Sequence, residues 1–356
     1  MSSIPQIPAE QAFPAPRRQE TVVMGNQSYL GVLLHLIGTE LYKIRRRLMS
    51  KVLSIVAIVI MIGFFGIISI GSIFVLASPE ATFLPPPCTS NIPVGTPCLD
   101  HSPTQAELDQ ARERALDSIS SPLRLPNSLG TALQTASVAG LILIIILAGT
   151  IVGGECSVGT VRLMFTRGPT RTQFFLSKIG ALLACIALGV IILVPVGILT
   201  GALLNLFTGI SVDFSFFTAA WLLHNVLKLL IVMLSLFMYA MLALCLSTWG
   251  RATAAGVAGA LVWWGLETVL GGILVLIGSS IGSSNPGSLA NFIKAIPDYF
   301  ISNSIGALSQ NQDHYINPAS QASSISDLQA IITLVVYLAV FIGVAWWVNQ
   351  KRDVTN

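Results

Sequence analysis

Between Gly153 and Lys178 the chain reads GGECSVGTVRLMFTRGPTRTQFFLSK. This polar stretch separates two long apolar runs and carries Arg162, Arg167, Arg171 and Lys178. Val158, Val161 and Phe165 fall at helical spacing, which predicts a short amphipathic helix. Arg167-Gly168-Pro169 breaks that helix. Thr170, followed three residues on by Gln173, is the signature of a capping box that opens a new helix, and Pro169 and Phe174 stand at the positions of a hydrophobic staple. The segment reads as helix, sharp turn and entry into an apolar span. A structured polar elbow of this kind is where a soluble partner can push on a membrane protein.

Composition sets the context. Mean hydropathy is +0.77. Hydrophobic residues make up 53% of the 356 and charged residues only 10%, against about 25% charged in soluble domains. The expected class is an all-α polytopic membrane protein. Six apolar runs, at about 52–77, 132–153, 177–204, 226–248, 253–281 and 328–348, each reach roughly the ~20 residues needed to cross a bilayer. The expected organisation is a disordered cytoplasmic tail at 1–28, an amphipathic interfacial helix at 29–51 and a six-span domain over 52–350, with outer loops at 78–131 and 282–327. The first span is expected to act as an uncleaved anchor.

An even number of spans puts both termini on one side, and the basic residues indicate which. With the termini inside, the inner segments hold Arg17, Arg18, Lys43, Arg45, Arg46, Arg47, Lys51, Arg162, Arg167, Arg171, Lys178, Arg251, Lys351 and Arg352. The outer side holds Arg112, Arg114, Arg124, Lys228 and Lys294. This asymmetry predicts a multi-pass cell-membrane protein with cytoplasmic termini.

In 29–51, Leu33, Leu34, Ile37, Leu41, Ile44 and Leu48 form an apolar stripe. Glu40, Lys43, Arg45, Arg46, Arg47 and Lys51 occupy the remainder. The pattern predicts a basic helix on the inner membrane surface, held by anionic lipid, that anchors the topology, feeds the first span mechanically, or both.

Cys88 and Cys98 lie in the first outer loop, in an oxidising compartment, and are expected to form a disulfide. Further on, Ser102-Pro103 predicts a helix start, and Leu108, Ala111, Ala115, Leu116 and Ile119 give a modest apolar face expected to rest on the membrane or a partner. Pro195 is expected to kink the third span. Phe207, Phe214, Phe216, Phe217 and Trp221 suggest an outer-interface belt, and Trp249-Gly250-Arg251 a tight inner hairpin. In the fifth span Ala252, Gly256 and Ala260, with Ala255 and Gly259 beside them, form small-xxx-small faces that permit close helix contact. The same span holds Glu267, an acid that must face a cavity or a partner. It is a substrate-path candidate for a cation or proton, or else a protonated side chain donating a structural interhelical hydrogen bond. Residues 290–308, interrupted by Pro297, suggest a half-buried or re-entrant outer helix pair rather than a seventh span.

The sequence has no G-x-x-x-x-G-K-[ST] and so no P-loop. It has no HExxH, GxSxG or CxxC, and His35, His101, His224 and His314 lie far apart. Neither an enzyme nor a metal site is expected, and the confinement of basic residues to the membrane face gives no support for nucleic-acid binding.

One resemblance follows from the opening stretch. Glu155, then Gly159-Thr160-x-Arg162, then Thr166-Arg167-x-Pro169-x-Arg171, then Lys178 resembles the first cytoplasmic loop of type-2 ATP-binding-cassette (ABC) transporter permeases. The helix with Glu40 and Lys43 looks like their elbow helix. The resemblance implies the transmembrane subunit of an exporter, without a cofactor of its own, driven by ATP and Mg on a separate cytosolic ATPase. That subunit would dock on Glu155, Val158, Gly159, Thr160, Val161, Arg162, Phe165, Arg167, Pro169 and Arg171, with Lys178 at the start of the following span. It also implies a second copy of the chain or a related permease, with the second and fifth spans, and so Glu267, near a central path. The competing expectations are a secondary transporter using Glu267 as a proton or cation site, and a non-transporting scaffold.

Overall fold

The computed structural model describes residues 29–78, 84, 102–125, 127–158, 170–208, 217–284, 288–316 and 320–351. Among these there is no strand. Six helices are long and apolar enough to cross a membrane: Leu48–Val75, Asn127–Glu155, Arg171–Leu204, Ala219–Gly250, Thr253–Ser280 and Asp327–Lys351. The chain is an all-α, polytopic membrane protein. Each expected span is present, and four start noticeably earlier than hydropathy alone indicates. Hydropathy misses the polar first turns that capping residues organise: Thr218 accepts from the Trp221 N–H at 3.2 Å, so Trp221 belongs to the fourth spanning helix rather than to the loop before it.

In chain order the helices are α1 (Tyr29–Arg46), α2 (Leu48–Ala77), α3 (Gln105–Ser120), α4 (Asn127–Val158), α5 (Arg171–Thr208), α6 (Ala219–Gly250), α7 (Thr253–Ser284), α8 (Ser288–Ala295), α9 (Ile301–Ile316) and α10 (Asp327–Lys351). Arg47, in extended backbone at φ −70° and ψ 130°, separates α1 from α2. The amphipathic segment is therefore shorter than expected, because the spanning helix already begins at Leu48.

α4 and α6 form the centre. Met238, Ala240, Met241, Ala243 and Leu244 of α6 are fully buried. Close approach there depends on small residues. A Cβ added to Gly153 would sit 2.5 Å from the Thr253 nitrogen, and one on Gly256 would sit 2.7 Å from the Ala243 carbonyl oxygen. The small-residue face of the fifth span thus packs α7 against α6 and α4, as its spacing predicts. The α6–α7 connection turns at Arg251, whose φ of 54° is left-handed.

α3 starts two residues later than Ser102-Pro103 suggests. Its cap is Thr104, in a capping box with Glu107; the Thr104 N–H donates to Glu107 Oε2 at 2.9 Å. Its apolar face rests on α2, with Ile119 against Gly71, so the neighbour that covers it is this chain's own first span. Pro195 lies inside α5, which continues through it as one helix.

After α7 the chain doubles back along it. Lys294 packs on Gly278, Phe300 on Gly271, and the Ile301 N–H reaches Glu267 at 3.2 Å. The reversal to α9 occurs at Pro297–Tyr299, a 3-10 turn with Pro at its start. The expected break at Pro297 is therefore present.

Candidate functional site

The polar stretch of 153–178 is described at its two ends. Gly159, Thr160, Val161, Arg162, Phe165, Arg167 and Pro169 lie outside the described residues, as do Cys88 and Cys98; Val158 is described only as the last residue of α4. At the far end, the capping box is present. The Thr170 N–H donates to Gln173 Oε1 at 3.1 Å, and the Gln173 N–H donates to Thr170 Oγ1 at 3.3 Å.

The two ends converge on one buried ionic cluster. Lys178 of α5 is 1% exposed. Its Nζ lies 2.7 Å from Glu40 Oε2 on α1 and 2.6 Å from Glu155 Oε2 on α4. Glu40 also pairs with Lys43 at 2.8 Å. Glu155 Oε1 lies 3.8 Å from both Lys43 Nζ and Arg47 Nη2. Arg47 Nη1 donates to the Thr150 carbonyl at 3.4 Å. Phe174 covers the cluster from one side, with its ring centroid 5.0 Å from Lys178 Nζ. Two carboxylates thus share three cations, so every charge in the cluster has an opposite partner.

Sequence spacing explains how Glu40 comes to be inside. Leu33, Ile37, Glu40 and Ile44 fall on one helical stripe, and this stripe faces the protein. Glu40 is 3% exposed and Ile44 5%, whereas Leu34 and Leu48 of the expected apolar stripe are 67% and 77% exposed. The carboxylate expected on the polar side therefore lies in the buried seam. Gly180 makes room for that seam, since a Cβ there would meet Ile37 Cδ1 at 2.6 Å. Burial pushes the Glu40 carboxyl up, but Lys178 and Lys43 outweigh it and hold it below its ordinary range. Arg45 and Arg46 stay exposed, with Arg46 over the Tyr42 ring.

Arg171, expected to face a partner, is also engaged within the chain. Its Nη1 donates to the Gln350 carbonyl at 2.8 Å, while Asn349 Nδ2 donates back to the Arg171 carbonyl at 3.2 Å. Gln350 Nε2 donates to Thr172 Oγ1 at 3.1 Å. The end of α10 is thereby tied to the start of α5, close to the ionic cluster.

Glu267 forms the second site, about 20 Å along α7 from Thr253. It is 6% exposed. Oε1 accepts from Trp263 Nε1 at 2.9 Å and from the Ile301 N–H at 3.2 Å. Oε2 accepts from the Tyr239 hydroxyl at 3.0 Å and from the Ser302 N–H at 3.2 Å. Four donors on two oxygens suit a carboxylate, and two of them are the free amides at the start of α9. Three of the four neighbours, the Trp263 indole and the Ile301 and Ser302 amides, can only donate, while the Tyr239 hydroxyl can donate or accept, so these contacts tie α7 to α6 and to the start of α9. The sequence singled out Glu267 but none of its partners. Tyr239, Trp263 and the α9 terminus lack any motif of their own and are brought together only by tertiary packing.

Among the described residues, no group of three or more His, Cys, Asp or Glu side chains converges as a metal site would require. Cys185 and Cys245 are free thiols.

A spanning bundle with one ionic cluster at its basic end and one capped acid in its interior defines a multi-pass membrane protein with no soluble domain among the described residues. More specifically, the chain belongs to the family described as "Protein of unknown function (DUF2705)", whose profile matches residues 130–355. That region includes Glu155, Lys178 and Glu267 and leaves out α1. No curated protein matches the chain.

Proposed function

We propose that this chain is the transmembrane permease subunit of an ABC exporter, moving its substrate with ATP hydrolysed by a separate cytosolic subunit. The observation that carries the reading is the buried cluster of Glu40, Glu155 and Lys178. Glu155 lies just before the 159–169 stretch and Lys178 just after it, and both are locked to the elbow helix. A push on that stretch would therefore be passed to α1, α4 and α5 together, with little loss in flexing side chains. The resemblance of Gly159-Thr160-x-Arg162 and Arg167-x-Pro169-x-Arg171 to the family's docking loop supplies the partner. Arg162 and Arg167 are the basic contacts for an acidic ATPase groove. Arg171 contributes through its bond to Gln350.

In this reading the basic end and both termini are cytoplasmic, α1 lies in the inner interface, and α8–α9 re-enter the membrane from outside. Cys88 and Cys98 are joined outside. Two such subunits, identical or related, form the path. Glu267 acts beside that path as the fixed cap of α9. The donor set around it leaves its oxygens occupied, which argues against a proton or cation carrier.

The test is purification of the full chain from membranes in mild detergent, with co-purifying chains identified by mass spectrometry. A P-loop ATPase present in comparable amount is the expected result. A chain that purifies alone, transports along a pH gradient without ATP and loses transport in Glu267→Gln would instead be a secondary transporter. Unreduced peptide mapping, expected to recover the Cys88–Cys98 pair joined, checks the disulfide separately.

A further inference from the structure

The first spanning helix does not lie flush on the bundle along its whole length. In its far half, Met61 and Phe65 are fully enclosed and press on α5 at Gly197 and Gly201, where added Cβ atoms would meet them at 3.1 Å each. In its near half, from Ser50 to Ile58, α2 stands away from α4 and α5 and leaves a groove of about 200 Å³. The walls include Ser54 and Ala57 of α2, Gly140 and Leu147 of α4, and Cys185 and Gly189 of α5. The lining is almost wholly apolar, and its polar side chains are Ser50 and Ser54, at the end nearest Arg47, and the Cys185 thiol.

Three observations indicate the occupant. On α2 the groove runs for about 12 Å and on α4 for about 16 Å, which matches the ~15 Å depth of one leaflet's hydrocarbon. The enclosed Met61 and Phe65 follow Ile58 within two turns of α2, where that helix is packed against α5. Within five residues of Ser50 along the chain are Arg45, Arg46 and Lys51, all exposed, while nearby Lys43 and Arg47 face the carboxylates. A slot of one-leaflet depth with exposed basic residues next in the chain to its Ser50 end matches an anionic phospholipid, with an acyl chain inside and the phosphate outside.

We infer that the groove between α2, α4 and α5 binds a single anionic glycerophospholipid, with one acyl chain along Gly189 and the headgroup at Lys51, Arg46 and Arg45. The bound chain fills the gap that holds α2 apart from α4, next to the Glu40–Lys178–Glu155 cluster. The inference does not depend on the ATPase reading, since it rests on the groove and the basic mouth alone.

The experiment reconstitutes the full chain in phosphatidylcholine vesicles. These contain a minor fraction of phosphatidylglycerol that carries a photoactivatable group on its acyl chain. Cross-linked peptides are then mapped. Labelling is expected to concentrate on 50–58, 136–147 and 185–193, above the level on the exposed face of α7 at 262–277. Gly189→Leu puts a side chain into open space, with nothing within 4 Å of the added Cβ, and favours the helix. It should reduce groove labelling to the α7 level while leaving α7 labelling unchanged, which also reports an intact bundle. Lys51→Gln should lower the preference for phosphatidylglycerol over an equally labelled phosphatidylcholine by roughly fivefold, the equivalent of one surface cation. Labelling spread evenly over all lipid-facing helices would overturn the site, as would groove labelling untouched by Gly189→Leu. Equal labelling by both lipids in the unaltered chain would overturn the anionic headgroup. A groove that stays dark in both would mean that it is covered by something other than lipid.

Discussion

Lys178 is the residue on which the described polar architecture turns. It is a fully buried cation between two carboxylates from different helices, 2.7 Å from Glu40 and 2.6 Å from Glu155. Replacing one member of such a set leaves the others charged and uncompensated, which costs about 3–5 kcal/mol. Lys178→Met should therefore lower unfolding stability by about that much, and Glu40→Gln combined with it should recover part of the loss. A purely additive double variant in denaturant titrations would argue against a shared cluster.

The pH dependence has a definite sign. The Glu40 carboxyl is held below its ordinary range in the folded chain, so its contribution is complete above the unfolded value of ~4.3 and is lost as pH falls through the lower folded value. The stability advantage of the native chain over Glu40→Gln should persist down to about pH 5 and shrink below it. An advantage already gone near pH ~6 would contradict the pairing. Glu267→Ala, by contrast, strands four donors in the interior at about 1–3 kcal/mol for each group left unsatisfied. Its expected signature is faster hydrogen exchange at the start of α9, around Ile301 and Ser302.

Among the helices, small residues decide which faces meet. The seam of α7 runs through Gly256, Ala260, Trp264, Glu267, Gly271, Leu274 and Gly278, one stripe in which the acid is the only charged member. Most of the rest of the helix, including Val262, Leu266, Val269 and Leu276, is exposed. Gly153→Leu should separate α4 from the α6–α7 hairpin, because a Cβ already meets Thr253 backbone at 2.5 Å. Gly154→Leu, one residue on, meets nothing within 4 Å. The first should expose the thiol of buried Cys245 to a membrane-permeant alkylating reagent and the second should not; equal labelling would mean that the close approach does not hold the hairpin.

This level was legible in the sequence wherever one short-range rule governs. The six spans follow from hydropathy, the Thr170–Gln173 box from its spacing, and the small face of α7 from its four-residue period. Legibility failed where charge and position conflict. Glu40 shares a stripe with Ile37 and Ile44, yet its charge suggested the polar face, and its burial is made tolerable by Lys43 one turn on together with Lys178, a cation 138 residues away that no local rule could bring to it. The reach of α9 back to Glu267 was not legible either, because it is a packing outcome of two helices separated by the Pro297 turn.

Over the whole molecule, the chain is a bundle whose strongest polar coupling lies at its basic end. α1, the second span, the third span and the tail of the last span are joined there through Glu40, Glu155, Lys178, Arg171 and Gln350. The sequence has no G-x-x-x-x-G-K-[ST] pattern, and this cluster brackets the stretch that resembles a docking loop. The proposed account is that force enters at 159–169 and is distributed by the cluster. The most direct test is substrate-stimulated ATP hydrolysis by the chain reconstituted with its co-purifying ATPase, comparing the native chain with Arg162→Glu. The account predicts that stimulation falls to the level of the ATPase alone in Arg162→Glu while the chain remains folded and membrane-inserted. Stimulation undiminished by that reversal would contradict it.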